Sequence, residues 1–383
     1  MLTAGRTTAL VPGRRVRALF FALFSVCLGL WLTACAHPLP IRVEPYEEEE
    51  ALFRRFEGWT GGDGVFSVSL DDDRILWLFG DTFIGTVVQG RHRNADLVHN
   101  TLAVQKGKDP FTAEIRFFWG RQDDKNTAFF LPPDGRGWFW PYHGIRVRAG
   151  LFLFLIQVER SPGPVGFDFQ VIGAWLARVK NPEQSPEEWK MDFYRIPFSH
   201  GQRIFGSAVL EEKDSLLIFG VEDRRTAGLP EKVILLARVP ADKPADFAEW
   251  TFFSQAGWVK TVDKAEAVCR SAANEFSVSY QPALRRYIMV YTEDSLSEHM
   301  VYRLAERPQG PWSEPVRFHR CPEARWEPRV FCYAAKGHPV LSRSAAELVF
   351  SYTTNSTDFE LIENDARYYR PRFLRLLFKK AWN

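Results

Sequence analysis

The chain has 383 residues, with 49 Lys and Arg against 47 Asp and Glu, so its formal net charge is +2. This near balance excludes the concentrated basic face that nucleic-acid binding requires, and we expect no nucleic-acid partner. Aromatic residues make up 15% of the sequence, including 13 Trp and 32 Phe. So many aromatic side chains fit either a β-rich core or a sugar-stacking surface, and composition does not separate the two.

The N-terminal segment has the pattern of an export signal. Residues 1–17 contain four arginines and no acidic residue, and residues 18–32 form an uncharged apolar run. The run is shorter than the roughly 20 residues of a spanning helix, which is typical of a secretory signal. Leu32-Thr33-Ala34-Cys35 then resembles a lipobox, in which the cysteine thiol receives a diacylglycerol. The alternatives are a plain signal peptide with a chance cysteine and an uncleaved anchor.

We therefore predict a signal peptide over residues 1–34, a lipidated N-terminus and linker over 35–48, and one domain over 49–383. Cleavage would lower Lys and Arg from 49 to 45 against 47 acidic residues. The expected product is a palmitate-bearing monomer in the bacterial cell envelope. It would be anchored to the membrane through Cys35 and face the periplasm or the cell surface.

Three cysteines remain after the lipid site, and they bear on redox and metal chemistry. Cys321 and Cys332 could pair in an oxidising compartment and leave Cys269 free, although their spacing does not prove a bridge. CxxC and HExxH patterns do not occur in the sequence, so we expect no transition-metal site. We expect no cofactor, with calcium left open because clustered Asp and Asn side chains can bind it.

Short β-branched and aromatic runs, separated by Gly, Pro, Asp and Asn, recur along the chain as a repeated unit. Five such units cover residues 63–119, 138–195, 205–253, 274–318 and 337–378. This repetition predicts an all-β fold, a five-bladed β-propeller of four-stranded antiparallel blades. The fifth unit lacks an outer strand, and residues 49–57 are our candidate for it. A β-sandwich with long insertions is the alternative.

In such a propeller, the start of the first strand and the end of the second lie at one mouth of the central channel. Four carboxylates from three of the predicted blades occupy these positions: Asp63, Asp81, Glu222 and Glu275. Glycoside hydrolysis needs one carboxylic acid and one carboxylate, and crowding would raise the pKa of at least one of them. We predict catalytic roles for these four, although each taken singly also fits a turn, a cap or a surface ion pair.

Polar side chains at the same positions could bind sugar hydroxyls or anionic groups. The predicted substrate-binding residues are His99, Asn100, His143, Asp223, Arg224, Lys336, His338, Asn355, Arg370 and Arg372.

Motifs at both ends of the predicted domain resemble a known family. The opening motifs are Trp59-Thr60-Gly61-Gly62-Asp63-Gly64, residues 76–82 (LWLFGDT) and residues 98–101 (VHNT). The closing motifs are residues 333–339 (YAAKGHP), 351–356 (SYTTNS) and 369–373 (YRPRF). Together they look like the domain-of-unknown-function 4185 family, whereas residues 120–260 match only in blade rhythm.

This resemblance implies a five-bladed propeller similar to the arabinanase, xylosidase and invertase clans. Some members of the group are endo-acting D-arabinan hydrolases that use acidic residues at the propeller mouth. Asp63 and Asp81 fall within the matching motif, whereas Glu222 and Glu275 come from blade geometry alone.

Our leading hypothesis is a glycoside hydrolase that cuts a cell-wall or extracellular polysaccharide containing arabinofuranose. Asp63 would act as base or nucleophile, Asp81 would tune its neighbours or bind substrate, and Glu222 or Glu275 would be the general acid. A lipoprotein that binds glycan without cutting it is the first alternative. A structural envelope scaffold, with a sealed channel and an exposed apolar face, is the second.

Overall fold

The computed structural model describes residues 41–379, apart from residues 164, 165, 167, 227 and 228. The predicted signal peptide and the predicted lipidation site at Cys35 lie outside the described residues. None of the helices in this described part of the chain has the length and apolar character that a bilayer span demands.

The first part of the chain alternates short strands with tight turns. In chain order its strands are β1 (Ile41–Pro45), β2 (Glu57–Gly62), β3 (Phe66–Ser69), β4 (Arg74–Phe79), β5 (Thr82–Val88), β6 (Arg91–Val98), β7 (Thr101–Lys106), β8 (Glu114–Phe118), β9 (Gly120–Gln122) and β10 (Lys125–Thr127). A short helix, α1 (Glu47–Leu52), lies between β1 and β2.

Longer strands follow in the middle of the chain. They are β11 (Trp138–Val147), β12 (Gly150–Arg160), β13 (Phe169–Val179), β14 (Met191–Arg195), β15 (Arg203–Glu212), β16 (Ser215–Thr226), β17 (Leu229–Pro240), β18 (Thr251–Ser254), β19 (Gly257–Val259) and β20 (Cys269–Arg270).

The last part contains β21 (Phe276–Gln281), β22 (Arg286–Thr292), β23 (His299–Ala305), β24 (Val316–Arg320), β25 (Val330–His338), β26 (Glu347–Ser356) and β27 (Pro371–Phe378). Helix α2 (Phe359–Asn364) precedes β27. Single 3-10 turns cover Pro186–Glu188, Val262–Lys264, Pro322–Arg325 and Pro339–Leu341.

Within residues 41–379 the described strands form five large antiparallel sheets, which confirms the all-β prediction. In chain order these are β3-β4-β7-β8, β11-β12-β13-β14, β15 to β19 with β20 added on β17, β21 to β24, and β25-β26-β27-β1. We call them the first to fifth sheets. The third sheet has six strands, and the smaller sheets β2-β5-β6 and β9-β10 stand beside the large ones. The sheets are therefore not five equal four-stranded units.

The fifth sheet is completed by a strand from the start of the described chain. Strand β1 pairs with β27 in antiparallel register, with Ile41 opposite Phe378 and Pro45 opposite Leu374. The expectation that residues 49–57 supply this strand is wrong, because they form most of α1 and the first residue of β2. The segment predicted as a linker also contains β1, and the side chain of Val43 in this strand packs against a buried apolar cluster.

Hydrogen bonds join the first strands of neighbouring sheets. His143 on β11 is central, since its Nε2 donates to the carbonyl oxygen of Ser67 on β3 at 3.2 Å. Its Nδ1 accepts from the backbone N–H of Val209 on β15 at 3.0 Å. Burial lowers the pKa of His143 to about 4, so the neutral imidazole bridges three sheets at ordinary pH.

The remaining first strands continue this series around to the starting sheet. The contacts are Ser207 Oγ to the carbonyl oxygen of Asn274 (3.1 Å), the N–H of Gly337 to Ser277 Oγ (2.7 Å), and Ser67 Oγ with His338 Nδ1 (2.8 Å). The five first strands, β3, β11, β15, β21 and β25, therefore follow one another in a closed circuit. A cavity of about 270 Å³ lies along them and is lined by Phe66, His143, Ser277 and His338, among others.

Buried cysteines settle the pairing that spacing left open. A disulfide joins Cys321, just before the 3-10 turn Pro322–Arg325, to Cys332 on β25. Cys269 is a free, buried thiol on β20.

Candidate active site

Three short connections join the strands of the first sheet to those of the small sheet β2-β5-β6. Asp63 lies between β2 and β3, Asp81 between β4 and β5, and His99 between β6 and β7. Backbone bonds fix this junction, because the N–H of Gly80 donates to the carbonyl oxygen of Asp63 and the N–H of Asp63 donates to that of Asp81. Both aspartates therefore lie at the end of the first sheet where its first strand, β3, begins. We call this end of the sheets the upper end.

The Asp63 carboxyl is held by two tyrosines from the fifth sheet region. Tyr333 Oη donates to Asp63 Oδ2 at 2.6 Å, and Tyr369 Oη donates to the same oxygen at 3.0 Å. Asn355 Nδ2 donates in turn to Tyr333 Oη at 3.2 Å. Gly80 packs against the other oxygen so closely that a Cβ there would lie 2.4 Å from Asp63 Oδ1. Any larger residue at position 80 would displace the carboxyl.

The environment of Asp63 favours its protonated form. Burial, together with the negative charges of Asp81 and Glu275, raises the pKa of Asp63 to about 8. The hydrogen bonds from Tyr333 and Tyr369 oppose this rise but do not overcome it. Asp63 therefore carries a proton at neutral pH, as the acid partner of a carboxylate pair does.

Asp81 is the second carboxyl group of the junction, and aromatic side chains lie next to it. Its Oδ1 accepts from His99 Nδ1 at 3.0 Å and from Trp140 Nε1 at 2.9 Å, and its side chain is 23% exposed. The His99 ring stacks on Trp138, with centroids 4.3 Å apart, and Trp138 meets Trp140 edge to face. The guanidinium of Arg160 lies 5.6 Å from the Trp138 ring. These part-buried rings form an aromatic side of the site next to Asp81.

Glu275, just before β21, forms an ion pair with the buried ammonium of Lys336 on β25. Lys336 Nζ lies 2.5 Å from Glu275 Oε2, and it also donates to the carbonyl oxygen of Ala334 at 2.9 Å. The ammonium sits 4.2 Å from the centre of the Phe66 ring. Burial lowers the pKa of Lys336, while the charges of Glu275 and Asp63 partly offset this effect. Lys336 therefore supplies a buried positive charge that is paired with Glu275.

Tyr142 on β11 is a buried tyrosine in the same part of the molecule. Burial raises the pKa of its hydroxyl, and the negative charges of Glu275 and Asp223 raise it further. We call Asp63, Asp81, Glu275, Lys336 and their tyrosine partners the central cluster.

Glu222 lies apart from the central cluster in a network of ion pairs. Arg203 Nε donates to Glu222 Oε1 at 2.6 Å, and Arg224 donates to Oε2. Asp223 pairs with Lys232 at 2.5 Å. These residues line a cavity of about 990 Å³ between the third and fourth sheets, together with Ser271 and Asp294. Both oxygens of Glu222 accept from guanidinium groups, an arrangement that suits a cavity wall better than a proton donor.

Several predicted binding residues have structural contacts instead. Asn100 is fully buried, and its amide bonds to the backbone of Phe130 and Phe139. His338 is fully buried between Ser67 and Ser351. Their side chains thus hold loops and strands together and face no open surface.

Two arginines before and within β27 differ in their surroundings. Arg372 donates to Glu50 Oε1 at 2.7 Å and to the carbonyl oxygen of Arg367 at 2.7 Å, and it is 7% exposed. Arg370 is 3.9 Å from the same Glu50 oxygen. Burial and the neighbouring charge of Arg372 lower the pKa of Arg370 to about 10. Arg372 is a support of the fold, whereas a binding role for Arg370 stays a prediction.

The sequence patterns do not assign Tyr333, Tyr369 or Tyr142 to the site, whereas Trp138 and Trp140 are among the tryptophans that they offer as stacking faces. Tyr333 and Tyr369 each begin one of the closing motifs quoted above. The motifs include these two residues but do not indicate that they donate to Asp63. Trp140 stands two residues from Trp138 on β11, and this alternation places both on the same side of the strand.

The calcium prediction has no structural test. Among the described residues, the ligand-type group whose atoms approach one another within 4.8 Å consists of Cys321, Glu323 and Cys332. Its two sulfurs are joined in the disulfide and provide no thiolate.

A family model described as "Domain of unknown function (DUF5005)" matches residues 47–382. The chain belongs to this family. The DUF5005 match spans α1 to the end of β27 and therefore includes every residue of the central cluster. The narrower resemblance to the 4185 family is not shown by this match. Comparison with curated proteins gives no match for this DUF5005 chain.

Comparison with solved structures finds proteins similar to this DUF5005 protein. A "putative hydrolase" from Bacteroides ovatus superposes with a TM-score of 0.70 at 21% identity, over 88% of this chain and 90% of that chain. An exo-β-1,3-galactanase from Phanerochaete chrysosporium gives 0.46 at 8% identity, over 84% and 62% of the two chains. A GH43_1 enzyme from Xanthomonas citri complexed with xylose gives 0.43 at 11% identity, over 86% and 89%. The first of these establishes a shared fold.

Proposed function

We propose that this protein is a glycoside hydrolase and that the central cluster is its active site. The observation that carries the proposal is the placement of two carboxyl groups at one junction of strands, Asp63 under Tyr333 and Tyr369 and Asp81 under His99 and Trp140. Glycosidic-bond cleavage requires one carboxylic acid and one carboxylate, and the raised pKa of Asp63 suits it to the role of the acid. The description of the Bacteroides ovatus structure as a hydrolase is in line with this reading.

In the proposed reaction, Asp63 protonates the glycosidic oxygen as the bond to the leaving sugar breaks. Asp81, oriented by His99 and Trp140, supplies the carboxylate that acts on the anomeric carbon, directly or through water. This assignment differs from the sequence hypothesis, in which Asp63 was the base or the nucleophile and a glutamate was the acid. The raised pKa of Asp63 and the guanidinium partners of Glu222 are the reasons for the change.

Glu275 would bind substrate hydroxyls, and the buried ammonium of Lys336 would balance its charge at the centre. Trp138 and Trp140 would provide the apolar side against which a sugar ring packs. The proposed substrate is a cell-wall or extracellular polysaccharide, and the resemblance to the 4185 group favours one that contains arabinofuranose.

We also propose that the five sheets are the blades of a five-bladed β-propeller, because their first strands follow one another in a closed circuit. The mature protein would be a monomer anchored in the bacterial envelope through a lipid on Cys35.

The test is a screen of the purified protein against arabinan, xylan, galactan and other polysaccharides, with measurement of released reducing ends. We expect Asp63→Asn and Asp81→Asn each to lower product release by about 10²-fold or more, since each removes one of the two reacting carboxyls. Asp72→Asn is the control, because Asp72 is exposed in the turn between β3 and β4. Product release by Asp63→Asn at the wild-type rate would exclude Asp63 as the acid. Glycan binding without any product would indicate the non-catalytic lipoprotein instead.

A further inference from the structure

An exposed tryptophan stands on a closed loop at the upper end of the fifth sheet. The disulfide between Cys321 and Cys332 closes this loop, and Trp326 lies within it, directly after the 3-10 turn Pro322–Arg325. Trp326 is 51% exposed, and it is the only Trp among the exposed large apolar side chains of the described residues. A loop that is held at both ends thus presents a large flat ring to solvent.

Two arginine side chains lie close to the Trp326 ring. The guanidinium groups of Arg367 and Arg372 lie 5.6 Å and 5.9 Å from its centre, within the range of cation–π attraction. Asp365 holds Arg367 through two bonds of 2.9 Å and 2.6 Å. Arg372 Nε lies 3.0 Å from Glu323 Oε1. The ring is therefore fixed in place before any ligand arrives, which lowers the entropy cost of binding.

The chain connects this ring directly to the central cluster. Cys332, which closes the loop, is followed by Tyr333, and Tyr368, whose ring centre is 6.3 Å from that of Trp326, is followed by Tyr369. Tyr333 and Tyr369 are the two residues that donate to Asp63. The Trp326 loop and the proposed acid thus share one rigid support on the same end of the sheets.

Single exposed aromatic residues are common on protein surfaces and often have no function. Phe111 is such a case, since it is 74% exposed in the loop between β7 and β8, at the opposite end of the first sheet. Trp326 differs because its support is built from ion pairs and a disulfide, and because it lies on the face that carries the central cluster.

From this geometry we propose that Trp326, with Arg367 and Tyr368, is a distal sugar-binding subsite. The proposal rests on the proposed hydrolase function and deepens it, because a subsite remote from Asp63 favours a substrate of several linked sugars over a short glycoside. The indole face would pack on the C–H face of one sugar ring, and Arg367 would donate to its hydroxyls.

The test is electrophoresis of the purified protein through gels that contain arabinan, xylan or galactan, with the Asp63→Asn background to prevent digestion. We expect Trp326→Ala to bind the glycan in the gel about tenfold more weakly and therefore to be retarded less. Trp326→Phe should restore part of the retardation. Phe111→Ala, the matched control, should be retarded like the parent. Thermal melting of each variant shows whether it is folded, and Trp326→Gln replaces Trp326→Ala if the latter is not.

Retardation of Trp326→Ala equal to that of the parent would overturn the proposal, and so would the absence of retardation by every glycan. Product release by the wild type is measured separately. Normal product release with unchanged retardation of Trp326→Ala would reject the subsite and keep the hydrolase. Retardation that depends on Trp326, without any product, would reject the hydrolase and keep the subsite.

Discussion

At the scale of single residues, Asp63 links the proposed chemistry to the stability of the fold. Its pKa is raised from 3.8 to about 8 in the folded protein, so between these pH values the folded state holds a proton that the unfolded state releases. Stability from this residue is therefore present at low pH and declines as pH rises toward 8.

We expect Asp63→Asn to remove this decline, because asparagine cannot ionise. Between pH 5 and pH 8.5 the melting temperature of the wild type should fall by about 2 °C or more relative to Asp63→Asn. Melting curves by circular dichroism at several pH values measure the difference. Asp72→Asn should follow the wild type, and parallel curves for Asp63→Asn and wild type would contradict the raised pKa.

Tyr333 provides a second residue-level prediction, about the pH dependence of activity. Its hydroxyl bonds to Asp63 Oδ2 and stabilises the ionised carboxyl, which lowers the pKa of Asp63. If Asp63 is the acid, the alkaline limb of kcat/KM is expected near pH 8 in the wild type. In Tyr333→Phe we expect this limb to move to higher pH by about 0.5 to 1. Tyr280→Phe, at the exposed end of β21, is the control. An unmoved limb would mean that Asp63 is not the group that titrates.

At the scale of elements, the disulfide closes the Trp326 loop and restricts the unfolded chain. It spans 11 positions of sequence, for which loop-closure entropy predicts about 2 to 3 kcal/mol of stability. We expect the Cys321→Ala/Cys332→Ala double variant to melt at lower temperature than the wild type. A reductant should lower the wild-type melting temperature and leave that of the double variant unchanged. A wild-type melting temperature that the reductant leaves unchanged would argue against the disulfide in solution.

The strands of the repeated units could be predicted because their alternation and turn residues are local signals. The convergence of Asp63 with Asp81 followed from the ends of two adjacent strands. The tyrosine donors could not be found in this way, since Tyr333 and Tyr369 reach Asp63 from 270 and 306 positions away. The Arg203–Glu222 pair depends on cross-strand register, and the predicted unit began two residues too late to include Arg203.

At the scale of the whole described molecule, the pairing of β1 with β27 joins segments from opposite ends of the sequence. Val43 faces the apolar cluster that includes Leu376, whereas the side chain of its neighbour Arg42 is 71% exposed. We expect Val43→Asn to destabilise the protein by about 1 to 3 kcal/mol, because it places an amide among apolar groups. Arg42→Asn, on the other face of β1, should change the free energy of unfolding by about 0.5 kcal/mol or less.

Urea denaturation followed by tryptophan fluorescence measures both variants. Equal midpoints for the two would mean that β1 does not seal the fifth sheet. Strand β1 itself escaped sequence-based prediction because its five residues include Arg42 and Glu44 and its partner lies at the far end of the chain.

Strand β1, from the start of the described chain, pairs with β27, from its end, and this pairing has a consequence for biogenesis. A ribosome or an export channel delivers a polypeptide from its N-terminus onward, so β27 emerges after all the other described strands. Until then, β1 has no strand to pair with and β26 presents a bare edge. The candidate site is accordingly completed late, because Tyr369 and the arginines beside Trp326 are delivered in the same segment as β27.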